Sequence, residues 1–70
     1  MLLELTSTEN LPVFLNPFAI ESICQLIEGS MVSMASSDQF FVKEDAADIY
    51  TDLTNLMIAL QGGVDVGAMH

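Results

Sequence analysis

Short runs of alternating apolar and polar residues predict two strands at the start of the chain. Residues 2–6 are rich in leucine and run into a turn-forming Ser-Thr-Glu-Asn cluster, which predicts a first strand. Residues 11–15 predict a second strand. Val13 and Leu15 would lie on one of its faces and Phe14 on the other, because successive side chains alternate along a strand.

The segment from Asn16 to Gly29 fits two different structures. In the first, Asn16 caps a helix, Pro17 takes its first position and Gly29 ends it. One face of that helix would carry Ala19, Ile20, Ile23 and Ile27. In the second, residues 20–26 form a strand and residues 28–30 form a hairpin turn. One face of that strand would carry Ile20, Ser22, Cys24 and Leu26. The local signals alone slightly favour the helix.

Two more strands and a helix follow. Residues 31–35 and 40–43 are rich in residues that suit a pleated surface, and a turn at 36–39 separates them. In the first of these strands, Val32 and Met34 would face the same way.

From residue 46 the apolar spacing becomes three and four, which predicts a helix. Its apolar stripe would consist of Ala46, Ile49, Tyr50, Leu53, Leu56, Met57 and Leu60. Glycine commonly ends helices in the left-handed conformation, so we expect this helix to stop at residues 61–63. Residues 1–61 would then form a single small domain and residues 62–70 a flexible C-terminal tail.

These elements predict an α+β fold, with a small antiparallel sheet or half-barrel of about five short strands followed by one C-terminal helix. If residues 17–28 are helical instead, the element order becomes ββαββα. The length of 70 residues allows one domain, and a hydrophobic content of 51% indicates a folded core rather than disorder. A core of this size is only marginally stable, so we expect good packing or oligomerisation to support it.

The charge and the single cysteine exclude several classes of function. The chain contains ten acidic residues and one basic residue, Lys43, so its net charge is −9. One base cannot neutralise a row of phosphates, so we expect neither direct nucleic-acid binding nor binding to anionic membranes.

The longest apolar-rich run, residues 56–60, is far shorter than the roughly 20 residues that span a bilayer. Cys24 cannot form an internal disulfide and the first residues do not resemble a secretory leader, so the expected compartment is the cytoplasm.

No residue pattern predicts catalysis, a cofactor or a metal. The single histidine, His70, is the last residue and has nothing to orient it as a general base. Cys24 lies among apolar residues without a cationic neighbour, which predicts a small core residue. The serines, Ser30 among them, have neither a nucleophile elbow nor a histidine partner and are expected in turns and on solvent faces. The carboxylates lack the glycine turn of a calcium loop. We therefore expect a protein that is not an enzyme and holds no cofactor.

Two surfaces are candidates for binding a partner protein. Asp45, Asp48 and Asp52 recur at three- and four-residue spacing opposite the apolar stripe. Such acids stabilise a helix N-terminus and keep a protein in solution, and they also suit a basic partner surface or mimic nucleic acid. Phe40 and Phe41 project to opposite faces of one strand, and a single covering helix buries only one face. One of them should stay uncovered and mark an interface, with a partner or with a second copy, unless the sheet closes into a barrel.

Several runs of the chain match a known pattern: Leu5-Thr6, Phe14-Leu15-Asn16, Ile20-Glu21-Ser22-Ile23, Ser30-Met31-Val32-Ser33-Met34 and Val42-Lys43-Glu44. Through them, residues 3–53 resemble the small flagellar FlbD-like proteins and their short relatives. That family has an Asn-Gly hairpin turn where this chain has Ser36-Ser37, and lysines where it has Asp38-Gln39. The resemblance implies a sheet of short strands followed by one helix, with residues 20–26 extended. It also implies a regulatory or accessory role without catalysis.

Two functions are therefore hypotheses. The first is a non-catalytic acidic protein-interaction module with a regulatory or accessory role, for which self-association is an open option. The alternative is a phage-type inhibitor that acts as an acidic nucleic-acid mimic on a host nucleic-acid-binding protein. Salt distinguishes them, because ions screen the attraction between surface charges and leave apolar contacts in place.

Overall fold

The fold is α+β, as predicted, with five short antiparallel strands and one C-terminal helix. The computed structural model describes the backbone of residues 1–68 and the side chains of residues 1–60. The strands are β1 (Leu3–Thr6), β2 (Pro12–Leu15), β3 (Ile20–Gln25), β4 (Ser30–Met34) and β5 (Gln39–Val42), and the helix is α1 (Ala46–Ala68). A short 3-10 helix spans Pro17–Ala19. The ββαββα alternative is therefore wrong.

The strands form two small sheets that meet at one corner. β1 and β2 make a two-stranded hairpin, and β3, β4 and β5 make a three-stranded meander in that order. Ser7 and Val42 form an isolated antiparallel bridge between the two sheets. Beside it, the Lys43 backbone N–H donates to the Thr6 carbonyl at 2.8 Å. These bonds connect the chain entering the helix to the first strand.

Alternation along the strands builds the core. The buried apolar side chains are Leu3, Leu5, Leu15, Val32, Met34, Val42 and Ile49. Val32 and Met34 lie two residues apart on β4 and share its buried face, as predicted. Leu3 and Leu5 have the same spacing on β1 and are also buried. The inner faces of both sheets thus pack against the first turns of α1.

A short cap and a bulge explain why residues 16–25 looked helical in the sequence. The Phe18 N–H donates to the Asn16 side-chain oxygen at 3.0 Å, so the predicted cap exists, but it starts only one 3-10 turn. The register then shifts between Ile20 and Ser22, and both Ile20 and Ile23 pack against the core. A bulge inserts an extra residue and so mimics the three-residue spacing of a helix. The prediction that Ile20 shares a face with Ser22 and Cys24 is accordingly wrong.

The helix is longer than predicted. It runs to Ala68, so the predicted end at residues 61–63 is wrong; glycine in a helix costs only about 1 kcal/mol relative to alanine and does not have to stop it. Ile49 is fully buried and Leu53 packs beside it on the core, whereas Tyr50, predicted in the same stripe, is 67% exposed. Met69 and His70 lie outside the described residues, and the flexibility of residues 62–70 stays a prediction.

Candidate interaction surfaces

Hydrogen bonds to Glu44 hold the start of the helix. The Thr6 N–H donates to both carboxylate oxygens of Glu44, at 2.9 and 3.0 Å. The Ser30 hydroxyl donates to the Glu44 backbone carbonyl at 2.7 Å, and Ser30 is fully buried. The expectation that Ser30 faces solvent is therefore wrong, because its hydroxyl satisfies a carbonyl that the strand and helix leave unpaired. No sequence signal distinguished it from the exposed serines.

A glutamine connects the β3–β4 hairpin to the same helix start. The Gln25 side-chain oxygen accepts the Ala46 N–H at 2.7 Å, one of the N-terminal donors that a helix cannot pair internally. Its side-chain nitrogen donates to the carbonyls of Leu26 and Gly29 at 2.8 and 2.9 Å. The hairpin turn, β4 and the first turn of α1 are thereby held in one arrangement, which fixes the surfaces on either side.

The acidic helix face consists of Asp45, Asp48 and Asp52, and all three side chains are exposed. Asp45 immediately precedes the helix, and its carbonyl accepts the Ile49 N–H at 3.0 Å. Glu44 does not belong to this face, since its carboxylate is bonded to β1. The single basic side chain, Lys43, donates to the side-chain oxygen of Asn10. The three carboxylates are therefore accessible to solvent, and their role in binding a partner stays a prediction.

The outer sheet face consists of Cys24, Met31 and Phe41, one residue from each strand of the three-stranded sheet. Cys24 pairs with Met31, and Met31 pairs with Phe41. Directly opposed residues project to the same side, so the three side chains form a continuous row. Phe41 is 50% exposed. Cys24 is exposed, and the expectation that it lies in the core is wrong because the bulge puts Ile23 there instead.

The two phenylalanines of β5 have different surroundings. Phe40 packs against the core through its pairing with Val32, whereas Phe41 faces solvent. The two small sheets leave the outer side of β5 uncovered. Phe14, 56% exposed on β2, pairs with Glu4, so a charge interrupts its apolar surroundings. Of the two exposed strand phenylalanines, Phe14 and Phe41, it is therefore Phe41 that has an apolar neighbour across the strand.

Other features of the described residues are less specific. An open cavity of about 340 Å³ is lined by Thr8, Glu28, Gly29, Val42 and Lys43, and its two side-chain charges are opposite. Within residues 1–60, every buried side-chain nitrogen and oxygen has a hydrogen-bond partner. The part of the chain that the structure describes contains no metal-binding cluster of histidine, cysteine and acidic residues. Within that same part, no helix has the length and apolar character needed to cross a membrane.

Comparison of the chain with protein-family models, with curated proteins and with solved structures gives no match. The resemblance to the FlbD-like family stays a prediction from the sequence. The acidic helix face and the outer sheet face are therefore the features of the chain that bear on its function.

Proposed function

We propose that this chain is a non-catalytic protein-interaction module with a regulatory or accessory role, and that its partner binds the outer sheet face. The observation that carries this proposal is the row of Cys24, Met31 and Phe41 across three paired strands, with Phe41 half exposed. Contiguous apolar surface on a soluble protein commonly marks an interface. We place the protein in the cytoplasm, since its one cysteine is free and exposed.

The geometry allows a rough estimate of what Phe41 contributes to binding. A phenylalanine buries roughly 200 Å² when fully covered, so half exposure leaves about 100 Å² for a partner. At about 25 cal/mol per Å², covering that area contributes about 2.5 kcal/mol. Replacing Phe41 with serine should therefore weaken partner binding at least tenfold.

The test captures partners with the tagged protein and compares three versions of it. Wild type, Phe41→Ser and Phe14→Ser are used at low and at high salt, and mass spectrometry identifies the bound proteins. Phe14→Ser is the matched control, because it removes a phenylalanine of similar exposure from a strand of the other sheet. We expect a partner that withstands high salt, binds wild type and Phe14→Ser, and is lost with Phe41→Ser.

Two results would contradict the proposal. One is a set of partners that Phe41→Ser retains as fully as wild type does. The other is a partner lost equally with both serine variants, since that would indicate a general change in the fold or surface. Far-UV circular dichroism of each variant verifies that the fold is retained.

A second candidate function rests on the acidic helix face. Asp48 and Asp52 on the helix and Asp45 directly before it are exposed, and the one basic side chain is hydrogen-bonded to Asn10 instead. This arrangement supports a nucleic-acid mimic that inhibits a nucleic-acid-binding protein. Its partner would dissociate in high salt, compete with DNA or heparin, and be lost when the three aspartates are changed together to lysine. A partner that withstands all three treatments contradicts the mimic.

A further inference from the structure

One stretch of α1 is apolar on every side. Residues 56–60 are Leu, Met, Ile, Ala and Leu, and five consecutive helical positions cover the full circumference of the helix. Within residues 46–60, the apolar side chains that join the core are Ile49 and Leu53, which precede this stretch. Ile58 is 58% exposed. A helix that is apolar all round is normally buried, yet residues 56–60, the apolar helix segment, are only partly covered in the single chain. Ile58 and Ala59 are exposed, and Leu56, Met57 and Leu60 keep part of their surface exposed.

The spacing of the large apolar residues continues the core seam along the helix. Ile49, Leu53, Leu56 and Leu60 lie four, three and four residues apart, which is the seam of two packed helices. The first two of these residues pack against the protein's own sheets. The last two continue the same seam beyond them. A second helix packed alongside would extend the core without a break.

The charge distribution indicates what that second helix is. Residues 53–64 contain no charged residue, while Asp48 and Asp52 precede them on the same helix and Asp45 lies directly before its first residue. A basic partner would gain most from the acidic half and little from the uncharged half. Two identical apolar segments related by a twofold axis are self-complementary and need no opposite charge.

We propose that two copies of this chain pair through their apolar helix segments. The pairing covers the surface of Leu56 and Leu60 that stays exposed in each copy and enlarges a small core. The pairing uses none of the residues of the outer sheet face, so it stands apart from the function proposed above. Because each copy carries a net charge of −9, ions screen the repulsion between copies, and dimerisation should strengthen as salt rises. Binding of a basic partner has the opposite salt dependence.

Sedimentation equilibrium tests this proposal on the full chain. Wild type, the double variant Leu56→Gln/Leu60→Gln and the control Tyr50→Ser are compared from about 1 µM to about 500 µM, at low and high salt. Tyr50 is the matched control, because it is an exposed aromatic residue on the same helix but outside the segment. We expect wild type and Tyr50→Ser to approach twice the monomer mass of 7.6 kDa with rising concentration. The double variant should dissociate at least tenfold more readily.

Two outcomes of this experiment overturn the proposal. The first is a wild-type protein whose mass stays that of a single chain at every concentration and salt. The second is a double variant that dimerises as tightly as wild type, because the two copies would then contact each other elsewhere. Loss of such a dimer with Phe41→Ser would place the contact on the outer sheet face.

Cross-linking tests whether the copies pair through the apolar helix segment even if the double variant does not fold. In a Cys24→Ser background, one new cysteine is placed at Leu60 and, in a separate control, at the exposed Thr51 in the acidic half of the helix. Mild oxidation should join two copies through position 60 and much less through position 51. Equal cross-linking at the two positions, or none at position 60, contradicts the pairing.

Discussion

Replacement of Gly29 by alanine should destabilise the protein more than any surface change. Gly29 is buried in the β3–β4 turn with φ at +74°, a conformation that L-residues other than glycine avoid. A Cβ at this position would overlap the backbone oxygen of Val42 and lie 3.2 Å from its carbonyl carbon and 3.3 Å from the Cα of Lys43. These atoms belong to the backbone of the last residue of β5 and of the residue after it. Backbone atoms cannot rotate out of the way as a side chain can.

The magnitude follows from two effects. The left-handed conformation costs an alanine about 1–2 kcal/mol, and forcing a methyl group into packed backbone costs about 1–3 kcal/mol more. The sum, about 2–5 kcal/mol, is large against the roughly 4–10 kcal/mol expected for 70 residues. We therefore expect the melting temperature of Gly29→Ala to fall by at least about 10 °C.

Thermal unfolding followed by far-UV circular dichroism measures this change. Gly29→Asn separates the two effects, because asparagine tolerates positive φ better than alanine but carries the same Cβ. It should remain clearly destabilised relative to wild type. A Gly29→Ala protein that melts within about 3 °C of wild type would refute the described approach of the hairpin turn to β5.

Three further changes test individual features by denaturant unfolding. Ser30→Ala removes the hydroxyl that donates to the Glu44 carbonyl at 2.7 Å and should lower the free energy of unfolding by about 1–3 kcal/mol. The control Ser33→Ala, on the same strand, should change it by no more than about 0.5 kcal/mol. Equal effects of the two changes would contradict the buried hydrogen bond. Gly63→Ala should stabilise by about 0.5–1 kcal/mol if the helix passes through to Ala68, and loss of stability would indicate a left-handed helix end. Ser37→Gly should stabilise by about 1 kcal/mol, because Ser37 has φ at +78° in the β4–β5 turn; an unchanged or lower stability would contradict that conformation.

The strand pattern could be predicted from local sequence because alternation reports burial directly. Val13 and Leu15 face inward, Phe14 faces outward, and Val32 and Met34 share the buried face of β4, as expected. The bulge at Ile20 could not be predicted in this way, since an extra residue in a strand produces the same three-residue spacing as a helix. Only the pairing of β3 with β4 distinguishes the two.

The candidate residues could be named from the sequence, but their surroundings depend on strand pairing. The sequence could show that Phe40 and Phe41 project to opposite faces of one strand. The pairing of Phe40 with the buried Val32 determines that Phe40 is the one that packs inward. That Met31 lies directly beside Phe41 depends on strand register, which a single sequence does not specify. The burial of Ser30 depends on a carbonyl 14 residues away along the chain, beyond the reach of any local pattern.

Thiol labelling of Cys24 shows whether a partner covers the outer sheet face. Cys24 is free, exposed and part of the outer sheet face, and the chain has no other cysteine, so its modification rate reports coverage of that face. Once a salt-resistant partner is in hand, the rate is measured with and without saturating partner. We predict that the partner slows labelling of Cys24 at least tenfold and that Phe41→Ser restores the free rate at the same partner concentration. An unchanged labelling rate in a saturated complex would show that the partner binds elsewhere and would contradict the account.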